Sequence, residues 1–174
     1  MNKILTSDFF NKKVTYVAEN LIGKFLVRKI GNEEIAVMIT EVEAYDGPND
    51  LACHGRFGKT KRTQAMYLDA GYFYIYMIYG MYWMLNIVTG PKDYPAAVLI
   101  RGIKNLVGPG RLTKFLKIDQ TFNQKIVAPT SFLWVEDHAK QIKSNEIIKT
   151  PRIGINYAGP IWSKKLYRFV LKSN

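Results

Sequence analysis

Residues 38–54 read MITEVEAYDGPNDLACH, and the alternation over the first half of this stretch predicts a half-buried β-strand. Successive side chains of a strand point to opposite faces, so two carboxylates and an aromatic ring should share one face. The residues expected on that face are Ile39, Glu41, Glu43 and Tyr45, and those expected on the other are Met38, Thr40 and Val42. A turn over residues 46–48 then leads to His54, one of two histidines. Taken alone, the pattern fits an acidic edge strand and a reaction site equally well.

Composition limits the classes of protein that can be considered. A chain of 174 residues with 48% hydrophobic content can build one core, so residues 1–174 are expected to form a single domain. The single cysteine, Cys53, excludes an intramolecular disulfide and any CxxC motif, and two distant histidines argue against structural zinc. The N-terminus lacks the apolar run of a signal peptide, so a reduced, cytoplasmic protein is expected.

The charge balance points to a polyanionic partner. Lys and Arg number 25 against 14 Asp and Glu, which gives a formal charge of +11 and a pI near 9.7. Such an excess favours nucleic acid or an anionic membrane surface, although it carries no information about the fold.

Strands and short helices alternate along the chain. Residues 14–21 have apolar side chains at helical spacing and are followed by Gly23, which predicts a short helix with a glycine at its end. Residues 24–30 and 34–45 read as two strands joined as a hairpin through Gly31 and Asn32, and residues 46–58 as a loop.

Further strands are predicted at residues 95–101, 131–135, 152–156 and 166–171. A basic helix is predicted at 111–117 after a glycine-rich turn, with Leu112, Phe115 and Leu116 on its inner side. That turn is a weak signal for an anion site, because such turns are common. There is no internal repeat or linker. The fold class is therefore mixed α/β, with a mainly antiparallel sheet.

Residues 72–89, YFYIYMIYGMYWMLNIVT, lack charge and are long enough to resemble a membrane span. Their tyrosines alternate with apolar residues at period two, however, and Gly80 interrupts the run. The segment therefore predicts two strands with the reversal at Tyr79, Gly80 and Met81. One face should be core, and the tyrosine face should be partly accessible because each hydroxyl needs a partner. Packing alone, or a wedge at the tip, would explain these rings.

Residues 56–62, RFGKTKR, hold four basic side chains and no acid. A solvated loop is the usual outcome for such a run, and a loop that contacts phosphates is the alternative. The residues concerned are Arg56, Lys59, Lys61 and Arg62; Arg111 and Lys114 add further positive charge on the predicted basic helix.

A cationic chain, an aromatic ribbon and a carboxylate–histidine cluster together suggest chemistry on a base in DNA. Phosphate attraction supplies affinity without sequence preference, and aromatic faces supply stacking of roughly 1–3 kcal/mol per base. A wedge can hold a nucleotide out of the duplex, and a carboxylate can activate water and stabilise positive charge on the sugar. These parts fit cleavage of a base from its deoxyribose.

EVEAYDGPNDLACH, YIYMIYGMYWMLNIVT, VLIRG, GPGRL and RIGINYAG follow one another here, and in this order the chain resembles the 3-methyladenine (alkyladenine) DNA glycosylase family. The resemblance extends from about residue 21 to residue 169. Its most specific parts are E-A-Y with the downstream histidine, and Y-x-Y-x-x-Y-G-M-Y with the downstream asparagine. The family resemblance implies a compact α/β domain with a curved antiparallel sheet, surrounding helices and a protruding hairpin that inserts into DNA.

The resemblance also implies roles for individual residues. Glu43 would be the general base that activates water, with Glu41 supporting it or lying at the surface; Arg101 and the main-chain carbonyl of Ile155 would help to hold that water. Side chains matching those that stack on or bond to the flipped base are Tyr45, His54 and Tyr76. Asn86 matches the position that opposes the amine of normal guanine, and Tyr79 matches the side chain that fills the vacated space, with Met81 as a neighbouring candidate.

The resemblance implies excision of alkylated or deaminated purines, of the 3-methyladenine, 7-methylguanine, hypoxanthine and etheno-adenine class, from double-stranded DNA. No metal, cofactor or membrane is implied, and a monomer associated with the nucleoid, if the source is bacterial, is expected. No lyase step is expected, because the matched site has no amine nucleophile. Two alternatives stay open: a non-catalytic nucleic-acid-binding domain, and a hydrolase of another N-glycoside. Compared with many relatives, the segment between Arg101 and Gly108 is short, and Thr63 replaces a common asparagine.

Overall fold

The longest strand covers Glu33–Asp46 and contains the two glutamates and the tyrosine of the opening stretch. The computed structural model describes residues 2–172. In these residues the strands are β1 (Lys3–Ile4), β2 (Phe25–Ile30), β3 (Glu33–Asp46), β4 (Phe73–Ile78), β5 (Tyr82–Thr89), β6 (Ala96–Ile103), β7 (Leu106–Val107), β8 (Leu133–Asp137), β9 (Ile147–Thr150) and β10 (Arg168–Leu171). The α-helices are α1 (Ser7–Phe10), α2 (Val14–Leu21), α3 (Pro109–Phe115) and α4 (Gly159–Trp162).

All of these strands join one antiparallel sheet, which confirms the predicted fold class. The main order is β1-β8-β2-β3-β6-β5-β4; β10 also pairs with β3, β9 with β10 and β7 with β6. The first half of β3 pairs with β2, and its second half lies between β6 and β10. The glutamates are therefore on an interior part of a strand and not at a sheet edge.

The alternation along β3 is interrupted where the glutamates begin. Ile39 faces Ile103, Glu41 faces Gly102 and Val42 faces Ile100, so Thr40 is an extra residue on β3 and Arg101 one on β6. Such bulges redirect side chains and bend the strand. Ile39 consequently packs in the main core with Val42, and its predicted place on the glutamate face was wrong.

The predicted helix and first hairpin are confirmed. α2 buries Val14, Val17, Ala18 and Leu21 against β3 and β6. Gly23 follows with a φ of +85°, a conformation that glycine adopts without steric cost, and its N–H donates to the carbonyl of Ile39. The helix is thereby fixed on the strand that carries the glutamates.

The aromatic segment forms two strands, as predicted. β4 and β5 pair with Ile78 opposite Tyr82, so the reversal lies over Tyr79, Gly80 and Met81. Phe73 and Ile75 face the main core. The opposite face carries the tyrosines, of which Tyr74 is buried and Tyr76 half-buried. Within residues 2–172, no helix has the length and apolar character needed to cross a bilayer.

Three helical and strand predictions need correction. Residues 152–156 do not form a strand: Gly154 has a φ of +75°, and the main-chain N–H of Ile153 donates to a side chain instead of a strand partner. Phe115 at the end of α3 is half-exposed and not on the inner side, whereas Leu112 and Leu116 are buried as predicted. The strand predicted at 131–135 begins two residues later, after a 3₁₀ turn at Pro129–Ser131.

Candidate active site

Glu43 is the centre of the site, and its carboxylate is fully buried. Its Oε1 accepts a hydrogen bond of 2.8 Å from the main-chain N–H of Ile153, and its Oε2 accepts one of 2.8 Å from the Tyr45 hydroxyl. The Arg101 Nε lies 3.7 Å from Oε1. Burial raises the pKa of Glu43, and Arg101, the two hydrogen bonds and Arg152 oppose that rise. A carboxylate with a raised pKa is a stronger base than one in water.

Glu41 is buried as well, and it binds two arginines. Its Oε1 accepts from the Nε of Arg101 at 2.9 Å and from the Nε of Arg168 at 2.6 Å. Arg168 comes from β10, where it lies opposite Glu43 in the strand register. Of the two roles left open for Glu41, a surface position is therefore excluded and contact with Arg101 is observed.

A buried ion pair supports Tyr45 from behind. Asp50 and Arg152 are both fully buried and paired through two nitrogens, with Arg152 Nη2 at 2.8 Å from Asp50 Oδ1. Arg152 also donates to the carbonyl of Ala44 and lies over the rings of Tyr45 and Tyr167, at 4.7 and 5.4 Å. Asp50 in turn accepts from the N–H groups of Asp46 and Ala52. The pair thus fixes the loop after β3 and the plane of the Tyr45 ring.

A small cavity of about 250 Å³, including its open mouth, lies beside these groups. Its walls are Tyr45, Ala52, His54, Met66, Tyr74, Tyr76, Asn86 and Ala97. Four of the predicted base-binding residues are therefore gathered around one space: Tyr45, His54, Tyr76 and Asn86. Glu43 is not part of the wall, and the Tyr45 hydroxyl connects it to the cavity.

His54 is placed by the aromatic ribbon. It begins a 3₁₀ turn at His54–Phe57, its Nδ1 lies 2.8 Å from the Tyr74 hydroxyl, and its ring meets Tyr76 edge-on at 4.6 Å. Burial, together with the positive charges of Arg62 and Arg56, lowers the pKa of His54 to about 4. The imidazole is therefore neutral at physiological pH and can donate or accept one hydrogen bond.

Asn86 is buried on β5 at the back of the cavity. Its Nδ2 donates to the carbonyls of Tyr74 and Met84, at 3.1 and 3.3 Å. With the nitrogen so engaged, the side-chain oxygen is the end that a ligand can meet. Burial raises the pKa values of Tyr74 and Tyr76, so both hydroxyls stay protonated.

The hairpin tip projects into solvent. Tyr79 is 87% exposed and Met81 is 64% exposed, and Tyr79 has a φ of +51°. At the base of the hairpin, Tyr82 packs over Gly110 of α3: a Cβ at Gly110 would lie 2.6 Å from the Tyr82 ring. Thr113 of the same helix donates to the carbonyl of Trp83 at 3.0 Å. The basic helix therefore supports the hairpin.

The basic loop passes beside the cavity mouth. The guanidinium of Arg62 lies 5.2 Å from the Tyr76 ring, and that of Arg56 lies 4.4 Å from Phe57 and 5.6 Å from Tyr157. Lys59 and Lys61 are exposed, and Lys59 is 3.9 Å from Asp93. Thr63 is buried and donates to the carbonyl of Gly58, which closes the loop.

Arg111 and Lys114 are exposed on α3. Ile155 is buried beside Ala52 and Ala158, and its carbonyl accepts from the N–H of Ala158 at 2.9 Å. A carbonyl has two lone pairs, so one of them stays available. Among residues 2–172, no group of three His, Cys, Asp or Glu side chains is arranged to hold a metal ion.

Sequence reasoning missed Asp50, Arg152, Arg168 and Tyr74. The pattern of residues 152–156 predicts a strand and gives no sign that Arg152 pairs with a residue 102 positions away. Nothing in the local pattern marks Arg168 as a partner of Glu41. Tyr74 was the exception with a signal, since its alternation with apolar residues had already placed it on the tyrosine face.

Comparison with known proteins identifies the family of this chain. The family description "Methylpurine-DNA glycosylase (MPG)" matches residues 8–174. A protein of Borreliella burgdorferi (strain ZS7) named "Putative 3-methyladenine DNA glycosylase" is 44% identical over 95% of each chain. One of the same name from Legionella pneumophila (strain Paris) is 42% identical over 100% of this chain and 97% of its own. The chain therefore belongs to the methylpurine-DNA glycosylase family and is a DNA N-glycosylase, a hydrolase of N-glycosyl bonds.

Proposed function

We propose that the protein removes alkylated or deaminated purines from double-stranded DNA by attack of a water molecule that Glu43 activates. The observation that carries this proposal is the buried Glu43 carboxylate, held by Ile153 and Tyr45 next to Arg101 and one hydroxyl away from an aromatic cavity. Water attack on the anomeric carbon needs a base and a negative charge near the developing positive charge of the sugar. Glu43 supplies both.

The cavity supports the choice of substrate. A base swung out of the duplex would enter between Tyr45 and the neutral His54, with the Tyr76 ring beside it and the Asn86 oxygen at the back. The acceptor oxygen at that place would accept a hydrogen bond from a base amine and would repel a lone pair of a base nitrogen or carbonyl, which lets the pocket discriminate among purines. Alkylated purines carry positive charge and leave readily, so modest binding is sufficient to select them. The lesion class proposed is that of 3-methyladenine, 7-methylguanine, hypoxanthine and etheno-adenine.

The exposed groups support binding to the duplex. Tyr79, with Met81 beside it, would fill the space left by the flipped nucleotide, since a ring at an exposed tip can enter a base stack. The exposed cations of the basic loop and of α3 would contact phosphates on either side: Arg56, Lys59, Lys61, Arg62, Arg111 and Lys114. The active form would be a monomer, acting on DNA in the cytoplasm.

Excision would be monofunctional, because none of the residues that wall the cavity is a lysine and, within residues 2–172, no lysine is among the groups that shift the pKa of Glu43. The product would then be an intact abasic site. Treatment of the reaction with borohydride should trap no covalent protein–DNA complex, and strand breaks should appear only after alkali.

The test uses duplex oligonucleotides that each contain one lesion. Incubation followed by alkali should break the strand at the lesion and leave undamaged duplex intact. Binding without strand breaks would instead support a non-catalytic DNA-binding protein. Release of bases from free nucleosides, at a rate insensitive to salt, would support a hydrolase of another N-glycoside, because phosphate contacts make DNA binding weaken steeply as salt rises.

A further inference from the structure

Arg101 stands between two buried carboxylates but is bonded to only one of them. Its Nε is 2.9 Å from Glu41 Oε1 and 3.7 Å from Glu43 Oε1, so the hydrogen bond goes to Glu41. The two bulges produce this arrangement, since Arg101 is the extra residue of β6 and Glu41 follows the extra residue of β3. The two irregularities face each other and bring these side chains together.

Arg168 makes the arrangement a network of four charges. It donates from Nε to the same oxygen of Glu41 at 2.6 Å and from Nη1 to the Thr150 hydroxyl at 3.2 Å. The two arginines and the two glutamates balance in formal charge. Three of the four side chains are at most 14% exposed and Arg168 is 23% exposed, so screening by water is weak.

We propose that Glu41, with Arg168, is a positioning residue: it holds Arg101 by Nε, so that the arginine stays at ion-pair distance from Glu43 without donating a hydrogen bond to it. This inference rests on the proposed function of Glu43 as the base. If Arg101 bonded Glu43 directly, the carboxylate would be fully compensated and would be a weaker base. Glu41 takes up that hydrogen bond, and the Nη groups of Arg101 make no hydrogen bond to any of residues 2–172. They are available to the water or to the substrate.

The charged groups around Glu43 come from every element that packs on it. Arg101 is on β6, Arg168 on β10, Arg152 on the segment before Ile153, Glu41 and Tyr45 on β3, and Tyr76 on β4. Arg152 is already neutralised by Asp50. Removal of the Glu41 charge should therefore lower the pKa of Glu43, and removal of the Arg168 charge should raise it.

The test separates the effect of the Glu41 charge from the effect of its side-chain length. Glu41→Gln keeps the length and an acceptor oxygen but removes the charge, so Arg101 should turn to Glu43 and the acidic limb of the pH–rate profile should move down by about one pH unit. Arg168→Gln removes a positive charge and should move the acidic limb to higher pH. Glu41→Asp keeps the charge but shortens the side chain, so the limb should stay in place while the maximal rate falls on the order of 10- to 100-fold.

Rates are measured in single turnovers on a duplex with 7-methylguanine, whose leaving group is already cationic, so that the acidic limb reports the base alone. The Glu43 carboxyl is also titrated directly by ¹³C NMR in the same variants, with Glu43→Gln to identify its signal. The titration does not depend on turnover, so an inactive wild type would overturn the proposed function while the shifts still test the network. The inference is overturned if the titration of Glu43 does not shift in Glu41→Gln and Arg168→Gln, or if it shifts in the same direction in both. An unchanged maximal rate in Glu41→Asp would also overturn it.

Discussion

At the scale of single residues, Glu43 is in a place that does not favour folding. An ionised carboxylate loses its hydration when it is fully buried, and two hydrogen bonds and a nearby arginine return part of that loss. A group with a raised folded-state pKa favours the folded state less as pH rises through that pKa. Residues whose surroundings conflict with stability in this way are often retained for function.

Glu43→Gln should therefore lose activity without losing stability. We expect excision to fall by on the order of 100-fold or more, because the base is gone, and the melting temperature at neutral pH to be equal or higher, because no charge is buried. The glutamine oxygen can still accept from Ile153, and its amide nitrogen can donate to the Tyr45 hydroxyl, which then acts as acceptor. Excision assays and thermal melts check both parts. Glu34→Gln, on an exposed position of the β2–β3 hairpin, is the control that should change neither.

His54 gives a prediction about pH and stability. Its pKa is about 4 in the folded protein against an ordinary value of 6.5, so the unfolded chain binds more protons between these values. The free energy of unfolding should consequently decrease, and the protein become less stable, as pH falls from about 6.5 to 4. His54→Gln should remove part of that dependence. Denaturant melts at a series of pH values measure it, and a variant with the same pH dependence as the wild type would contradict the assignment.

At the scale of elements, the β4–β5 hairpin combines an exposed tip with a rigid base. Tyr79 has a left-handed backbone, which asparagine tolerates better than most residues. Tyr79→Asn should thus keep the turn and remove the ring. We expect unchanged stability and at least a several-fold weaker affinity for a duplex with a stable abasic analogue. Tyr16→Ser, an exposed tyrosine on α2, is the matched control.

The base of the hairpin gives a separate prediction. A Cβ at Gly110 would meet Cβ, Cγ and Cδ1 of Tyr82 at 2.6–2.9 Å, which are atoms near the backbone and cannot move away freely. Gly110→Ala should cost about 1–3 kcal/mol of folding free energy. The variant Gly110→Ala with Tyr82→Ala should recover most of that cost in denaturant melts, since the clash is then absent. Equal costs in the single and double variants would contradict this packing.

Elements also show how far the sequence could be read. Helical spacing was sufficient for α2, and period-two alternation with turn residues was sufficient for the β2–β3 and β4–β5 hairpins, because local pattern and burial agree there. Residues 152–156 failed for the opposite reason. Arg152 and Ile153 are held by Asp50 and Glu43, far away in the sequence, and such contacts override a local alternation of apolar residues. The predicted face of Ile39 was wrong because the sequence pattern does not reveal a bulge.

At the scale of the whole molecule, a charge of +11 should make DNA binding strongly dependent on salt. If Arg62 and Lys114 contact phosphates, neutralising either should reduce the slope of log K against log salt by about 0.9. Arg62→Gln and Lys114→Gln are compared with Lys29→Gln, a cation on the β2–β3 hairpin. Equal slopes in all three variants would place the phosphate contacts elsewhere.

The bond between Ile153 and Glu43 has a practical consequence. Among residues 2–172, the main-chain N–H of Ile153 donates only to the Glu43 carboxylate. Its rate of deuterium exchange therefore measures how often that hydrogen bond opens. Occupancy of the cavity by an extruded nucleotide should slow uptake at this one position, and protonation of Glu43 should speed it. Uptake at Ile153 would therefore report when the carboxylate oxygen of the proposed base is released.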